Sequence, residues 1–142
     1  MSDKLLVVIA DADTIVAQAI AEDANHQLAI RLGQKLEKKG ASIIYPATAI
    51  AEAVTSLQRK FSNPHLAALT LENFINPQVF IDTIDREAIR EAKELFDPNR
   101  SKKNTIFDCI VATLAKKHNA DGIFSFDRWY TKLGFKLVSD LF

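Results

Sequence analysis

The feature that most limits what this chain can fold into is its first apolar run, Leu5-Leu6-Val7-Val8-Ile9-Ala10, which stops at Asp11-Ala12-Asp13. An unbroken apolar run of this length describes a strand buried on both faces, as in a parallel sheet covered by helices. A strand with one wet face would alternate instead. The acids that end the run fall where the chain leaves the carboxyl end of that strand, the edge at which open α/β sheets bind their ligands.

The rest of the chain alternates in period. Thr14 to Ala21 and Asn25 to Lys39 read as helix, with Leu28, Leu32 and Leu36 four apart and Gly40 as a C-cap. Ser42-Ile43-Ile44-Tyr45 is a second strand, stopped by Pro46 before a helix striped by Ile50, Val54, Leu57 and Phe61. Asn63-Pro64 and Asn76-Pro77 bracket a short helix around Leu66 to Phe74, and Val79 to Ile84 reads as a third strand. A charged helix, Arg86 to Phe96, ends at Asp97-Pro98-Asn99, and a polar loop runs from Arg100 to Asn104. Ile106, Phe107, Ile110, Val111 and Leu114 stripe another helix, Asp121 to Phe126 is a strand, and Phe135-Lys136-Leu137-Val138 is expected to close the sheet. The order predicts a three-layer α/β fold with a central, mainly parallel sheet flanked by helices. At 142 residues, with no repeat, low-complexity tract or linker, residues 1–142 read as one domain.

Charge narrows the function. Eighteen Lys plus Arg balance eighteen Asp plus Glu, so no global positive field recruits nucleic acid, and such binding must use a local patch or a bound metal. The single Cys109 excludes an internal disulfide and, inside Ile106 to Val111, reads as a buried thiol. The first apolar run is too short for a signal peptide or a membrane span, so a cytoplasmic location and no membrane partner are expected. His26, His65 and His118 are scattered, with no Ser or Cys positioned to make a triad; packing or surface roles are expected, His26 alone lying near the first acids. Trp129, Tyr130 and Phe135 are expected to pack the last elements rather than to stack bases.

The acids of interest share one edge. Asp11 and Asp13 follow the first strand, Glu52 lies in the first turns of the helix after the second, and Asp127 follows the strand ending at Phe126. Asp108 opens the helix leading into that strand, and a crossover helix starts on the carboxyl side of the sheet. Carboxylates gathered this way repel one another unless a cation neutralises them. Oxygen ligands without His or Cys suit Mg²⁺ or Mn²⁺, and one ion, or two about 4 Å apart, would serve phosphoryl hydrolysis. Each acid also has a plainer reading. Glu52 lies opposite its apolar stripe and reads as solvated; Asp108 favours a helix dipole; Asp127, Asp11 or Asp13 could simply cap helices. The shared edge argues against coincidence.

Four motifs then carry a resemblance. Val8-Ile9-Ala10-Asp11-Ala12-Asp13-Thr14 resembles the opening strand and first acid of PIN domains, and Tyr45-Pro46-Ala47-Thr48-Ala49-Ile50-Ala51-Glu52 resembles their second strand and glutamate. Lys103-Asn104-Thr105-Ile106-Phe107-Asp108 with Ala112 resembles the helix of the third acid, and Ile123-Phe124-Ser125-Phe126-Asp127 the strand, hydroxyl and fourth acid. The match runs in order over nearly the whole chain, with residues 62 to 100 lacking a motif of their own. It implies a Mg²⁺- or Mn²⁺-dependent endoribonuclease, in which Asp11, Glu52, Asp108 and Asp127 are the catalytic and metal carboxylates and Asp13 supports or touches the metal. Ser125 would bond Asp127 or a metal water, or else only satisfied backbone. Many small bacterial members are VapC-type toxins silenced by an antitoxin, and relatives often form homodimers.

In-line attack by water would leave a 5′-phosphate without any side-chain nucleophile. Arg100, Lys102, Lys103 and Arg128 flank the third and fourth acids and are candidate RNA phosphate contacts, against a plainer reading as solvated loop charge. Two other readings compete. Asp11-Ala12-Asp13-Thr14 is similar to the first motif of haloacid-dehalogenase phosphohydrolases, although the threonine sits one place early. A non-catalytic PIN-fold module that only binds RNA is the other. A response-regulator receiver is disfavoured, because Ile43-Ile44-Tyr45-Pro46 offers no acceptor aspartate.

Overall fold

The computed structural model describes residues 4–99 and 104–142. Four strands, β1 (Val7–Ala10), β2 (Ser42–Pro46), β3 (Phe80–Asp82) and β4 (Gly122–Phe124), form one sheet in the order β3-β2-β1-β4, and every pairing is parallel. Helices α1 (Ala12–Ala19), α2 (His26–Lys38), α3 (Ala47–Arg59), α4 (Pro64–Phe74), α5 (Arg86–Leu95), α6 (Ile106–Lys117) and α7 (Trp129–Lys132) connect and cover it. The expected α/β architecture is the one observed. Among the described residues no helix is long and apolar enough to cross a membrane.

The first strand is central, and its period of two sorts its side chains. Val8 and Ala10 pack with Leu32 and Leu36 of α2 and with Phe124, whereas Ile9 turns to the opposite face with Ile44, Ile123 and the apolar side of α6. All three β1 residues are fully buried, which accounts for the unbroken apolar run. Burying each such side chain stabilises the fold by roughly 1.5–3 kcal/mol before chain entropy is counted. A separate cluster joins α1, α3 and α4 through Ile15, Ile50, Ala53, Leu57 and Ala67, and this packing fixes where α3 carries Glu52.

Winding from β1 to β2 to β3 runs one way across the sheet, and β4 is added on the other side of β1. The direction of winding therefore reverses between β1 and β4, and loops leaving their carboxyl ends part to open a crevice.

The last predicted strand is a correction. Phe135 to Val138 makes a single parallel bridge, Ile123 to Leu137, and then enters a short 3-10 turn, Val138–Asp140. Gly134, at φ +95°, brings the chain back beside β4, and Ile123 N–H donates to the Lys136 carbonyl at 2.8 Å. Pairing then ends, because Asp140 N–H turns back onto the Leu137 carbonyl at 2.9 Å. The third strand is also shorter than Val79 to Ile84, and Phe80 and Ile81 are exposed on this edge strand.

Candidate active site

The site begins with backbone. Asp11 N–H donates to the Phe124 carbonyl at 3.0 Å, which extends the β1–β4 pairing one residue beyond the strands and locks the first acid at the crevice. The Thr14 hydroxyl reaches the Asp11 and Phe124 carbonyls at 3.0 and 3.2 Å, tying the first turn of α1 to the same point. Asp11 Oδ1 caps α1 by accepting the Ala12 N–H at 2.7 Å. The plain reading of this residue as a cap is thus correct, but it uses only one oxygen. Asp11 is 4% exposed, and its other oxygen, Oδ2, faces the crevice.

Tyr130 meets that second oxygen. Its hydroxyl lies 2.7 Å from Asp11 Oδ2 and 3.3 Å from Asp108 Oδ1, so one proton leans toward Asp11 while the oxygen stands between two acids from distant parts of the chain. The Asp108 Oδ2 atom accepts the Thr105 N–H at 2.9 Å and caps α6. Asp127 accepts the Asn104 side-chain amide at 3.0 Å and the Trp129 N–H at 2.9 Å, which fixes it at the start of α7. Asn104 has φ +64°, a left-handed conformation that asparagine tolerates, and this turns its amide toward Asp127.

Asp13 is held by Ser125. The Ser125 hydroxyl is 2.8 Å from Asp13 Oδ2 and 3.3 Å from Asp11 Oδ2, and it accepts the Asp127 N–H at 3.1 Å. Ser125 thus does bond Asp127, as one of its expected roles has it, but through the Asp127 backbone N–H, while its own proton goes to the acids that follow β1. Phe126 N–H also donates to Asp13 Oδ2 at 2.8 Å, while Asp13 Oδ1 is buried with no hydrogen-bond partner.

Electrostatics shows that these groups feel one another. Burial pushes the Asp13 carboxyl up to about 7, helped by the Asp11 charge. Burial does the same to Glu52, which rises to about 7 with the charges of Asp11, Asp108 and Asp13 adding to it. Asp108 is raised to about 6 by burial and by Asp11 and Asp127. Asp11 is raised by burial and Asp127, against the opposing bonds from Tyr130, Ala12 and Ser125. The Tyr130 hydroxyl is pushed far up by burial and by the acids, so it stays a donor. Glu52 is half-buried, so the solvated position its helical wheel implies is corrected: α3 packs on α1, and Glu52 lies near enough to Asp11, Asp108 and Asp13 to feel their charges.

These groups are oxygen donors only, a chemistry that fits Mg²⁺ or Mn²⁺. The partnerless Asp13 Oδ1 and the raised carboxyls fit a missing positive charge. Among the described residues no group of three His, Cys, Asp or Glu side chains already stands as a preassembled ligand set.

A family profile for the PIN domain matches residues 11–136. This chain belongs to the PIN-domain family. It is 30% identical over 108 residues to a VapC ribonuclease of Aquifex aeolicus (strain VF5), a match covering 75% of this chain and 76% of that one. Its fold resembles the crystal structure of VapC20 of Mycobacterium tuberculosis, a Sarcin-Ricin loop cleaving toxin, with a TM-score of 0.78 over 90% of this chain and 95% of that one, at 18% identity. The second likeness is one of fold.

Arg128 is exposed and pairs with Asp140 at 3.2 Å, so a surface acid competes with any phosphate for it. Arg100, Lys102 and Lys103 lie outside the described residues. His26 Nδ1 is 2.7 Å from the Ala17 carbonyl and ties α2 to α1, a packing role. Tyr130 and Asn104 are the residues that sequence reasoning missed. The usable signal for Tyr130 was its hydroxyl, which a buried tyrosine must satisfy, and the nearest sequence candidates were acids.

Proposed function

We propose that this PIN-domain chain, read as one nuclease domain over residues 1–142, is a divalent-metal-dependent endoribonuclease. The observation that carries the reading is that acids from separate elements share hydroxyl partners at one edge, Asp11 and Asp108 through Tyr130 and Asp11 and Asp13 through Ser125, and burial raises these carboxyls together with Glu52. Structural carboxylates are ordinarily paired with cations; a cluster left in mutual repulsion is the mark of a functional site.

In this reading Asp11, Glu52, Asp108 and Asp127 would hold Mg²⁺ or Mn²⁺, with Asp13 beside them. When bound, the ion supplies acidity to water and offsets charge that grows on the phosphodiester. The chain's own residues do the positioning. Tyr130 keeps Asp11 and Asp108 aimed at the same space, Ser125 and the Phe126 N–H hold Asp13, and Asn104 holds Asp127. This reading requires no side-chain nucleophile: water attacks the phosphorus in line, the 3′ oxygen leaves, and a 5′-phosphate remains.

The VapC ribonuclease relative supports RNA as the substrate. The toxin that shares the fold supports a toxin role, which brings an antitoxin partner, a cytoplasmic setting and a homodimer as the expected assembly. The test is to incubate purified protein with mixed RNA and Mg²⁺ or Mn²⁺, beside EDTA and Asp108→Asn controls. Cleavage confined to the metal-loaded wild type supports the proposal, and cleavage that persists in either control overturns it. Tight RNA binding with no turnover would instead mark a binding module.

A further inference from the structure

Beside the acids a hollow of about 280 Å³ opens between α1, the loop that follows it and α3. Asp13, Glu52 and Asp23 are its acids, Ala12 and Val16 line it from α1, and Asn25, Ser56, Lys60, Phe61 and Phe126 make up the rest, with Asp23 engaged by the Asn25 backbone N–H. Asn25, Ser56, Lys60, Phe61 and Phe126 have no role in the arrangement described above, apart from the Phe126 N–H on Asp13.

The composition of the hollow is specific. Glu52, Ser56 and Lys60 follow one another at four-residue steps, so they form a single stripe along α3, and two turns of helix separate the acid from the cation by about 12 Å. The cation is thus set one step away from the acids along the same groove. Lys60 is exposed, its ammonium 5.6 Å from the centroid of the Phe61 ring, and no anion pairs with it among the described residues. Asn25 stands at the start of α2 without using its side chain as a helix cap. Its backbone N–H is held by Asp23 Oδ1 at 2.8 Å, which fixes the loop and leaves the amide free to read a partner. Aromatic faces, one amide, one hydroxyl and one cation are the elements by which proteins hold an unpaired nucleotide: the ring stacks, the amide reads a base edge, and the ammonium meets phosphate.

We infer that this hollow is a subsite for one unpaired nucleotide of the RNA, adjacent to the phosphate that the acids address. Phe61 or Phe126 stacks its base, Asn25 and Ser56 read the base edge, and Lys60 binds the neighbouring phosphate. The inference rests on the ribonuclease reading for the identity of its ligand. It adds that base choice is made between α1 and α3 rather than by the cations flanking Asp108.

The test uses the full chain and a fluorescent single-stranded oligoribonucleotide. Binding is followed by anisotropy in EDTA across a salt series, and cleavage of a random-sequence RNA is mapped in Mn²⁺. Lys60→Gln should weaken binding about tenfold and lower the slope of log affinity against log salt by about 0.7, the share of one phosphate contact on a single strand. Asn25→Ala should flatten the base preference at one nucleotide beside the cut while leaving the salt slope unchanged. Both residues are exposed, and unchanged melting temperatures would show that the variants fold. Wild-type slope and base preference retained in both variants would overturn the subsite and leave the nuclease standing. A wild type that binds RNA through Lys60 without cutting it would overturn the nuclease and keep the subsite; a wild type that neither binds nor cuts overturns both.

Discussion

Two groups of carboxylates in this protein sit in opposite environments. Asp82 accepts from His118 Nε2 at 2.6 Å and from Lys117 at 3.4 Å, and although burial opposes it, those partners hold its pKa below the usual range. Asp121 is likewise lowered by Lys4 at 2.8 Å and by the Val7 N–H. At the crevice Asp11, Asp13, Glu52 and Asp108 have acids and apolar walls as neighbours, and all four are raised. The first group ties elements together. The second works against the stability of the fold, and among the described residues no Lys, Arg or His forms an ion pair with any of its four acids. The difference separates acids that hold the structure from acids reserved for a ligand.

The comparison breaks most visibly through activity. Asp108→Asn should lower metal-dependent RNA cleavage by on the order of 10²–10³, while Asp82→Asn leaves the rate constant within about twofold. An Asp82 variant as inactive as the Asp108 variant, at temperatures where both are folded, would erase the distinction.

Metal should reverse the repulsion. Mn²⁺ at a hundredfold excess over its Kd should stabilise the protein by about 2.7 kcal/mol, read as a rise in melting temperature at pH 8 against an EDTA control. The same rise in a variant carrying both Asp11→Asn and Asp108→Asn would place the ion elsewhere.

The pH dependence has opposite signs in the two groups. A raised acid contributes stability below its unfolded pKa and loses it as pH rises through the folded value. In EDTA the crevice acids should therefore make the protein lose stability from about pH 4 to about pH 7, since Asp108 rises to about 6 and Asp13 and Glu52 to about 7. Asp82 and Asp121 act the other way, their contribution being present above an ordinary carboxyl pKa and lost as pH falls below it. Melting curves in EDTA from pH 3 to pH 8 should pass through a maximum on the acid side of neutrality, and Glu52→Gln should flatten the fall above it. A monotonic rise to pH 8 would contradict the repulsion.

The smallest effect sharpens the role of Tyr130. Tyr130→Phe keeps the ring packed on Trp129, 5.3 Å away between centroids, and removes only the shared hydroxyl. Cleavage should fall about tenfold and stability by about 1 kcal/mol, the ordinary worth of one hydrogen bond. Because that hydroxyl lowers Asp11, the acid limb of the rate profile should move to higher pH. An unchanged profile would reduce Tyr130 to packing.

Much of this was legible in the chain. The run to Ala10 and the acids after it give β1 and its ligand edge, because burial on two faces leaves no room for polar alternation. Asp108 could be placed because a crossover helix has one possible starting side. Glu52 was harder: its own helix stripe points to solvent, and only the packing of α3 on α1 turns that side toward Asp11. Phe135 to Val138 has the residues of a strand, yet a turn capped by Asp140 ends its pairing after one bridge.

Local order and burial are written in one-dimensional periodicity, so the sequence by itself determined most of the elements, the parallel sheet and the edge beyond which Asp11 follows β1. Tertiary structure alone decided which oxygen each acid leaves free, that Ser125 serves Asp13, and that Tyr130 stands between Asp11 and Asp108. Those outcomes depend on ångström-scale distances between residues from 22 to 119 positions apart, and no local pattern carries such distances.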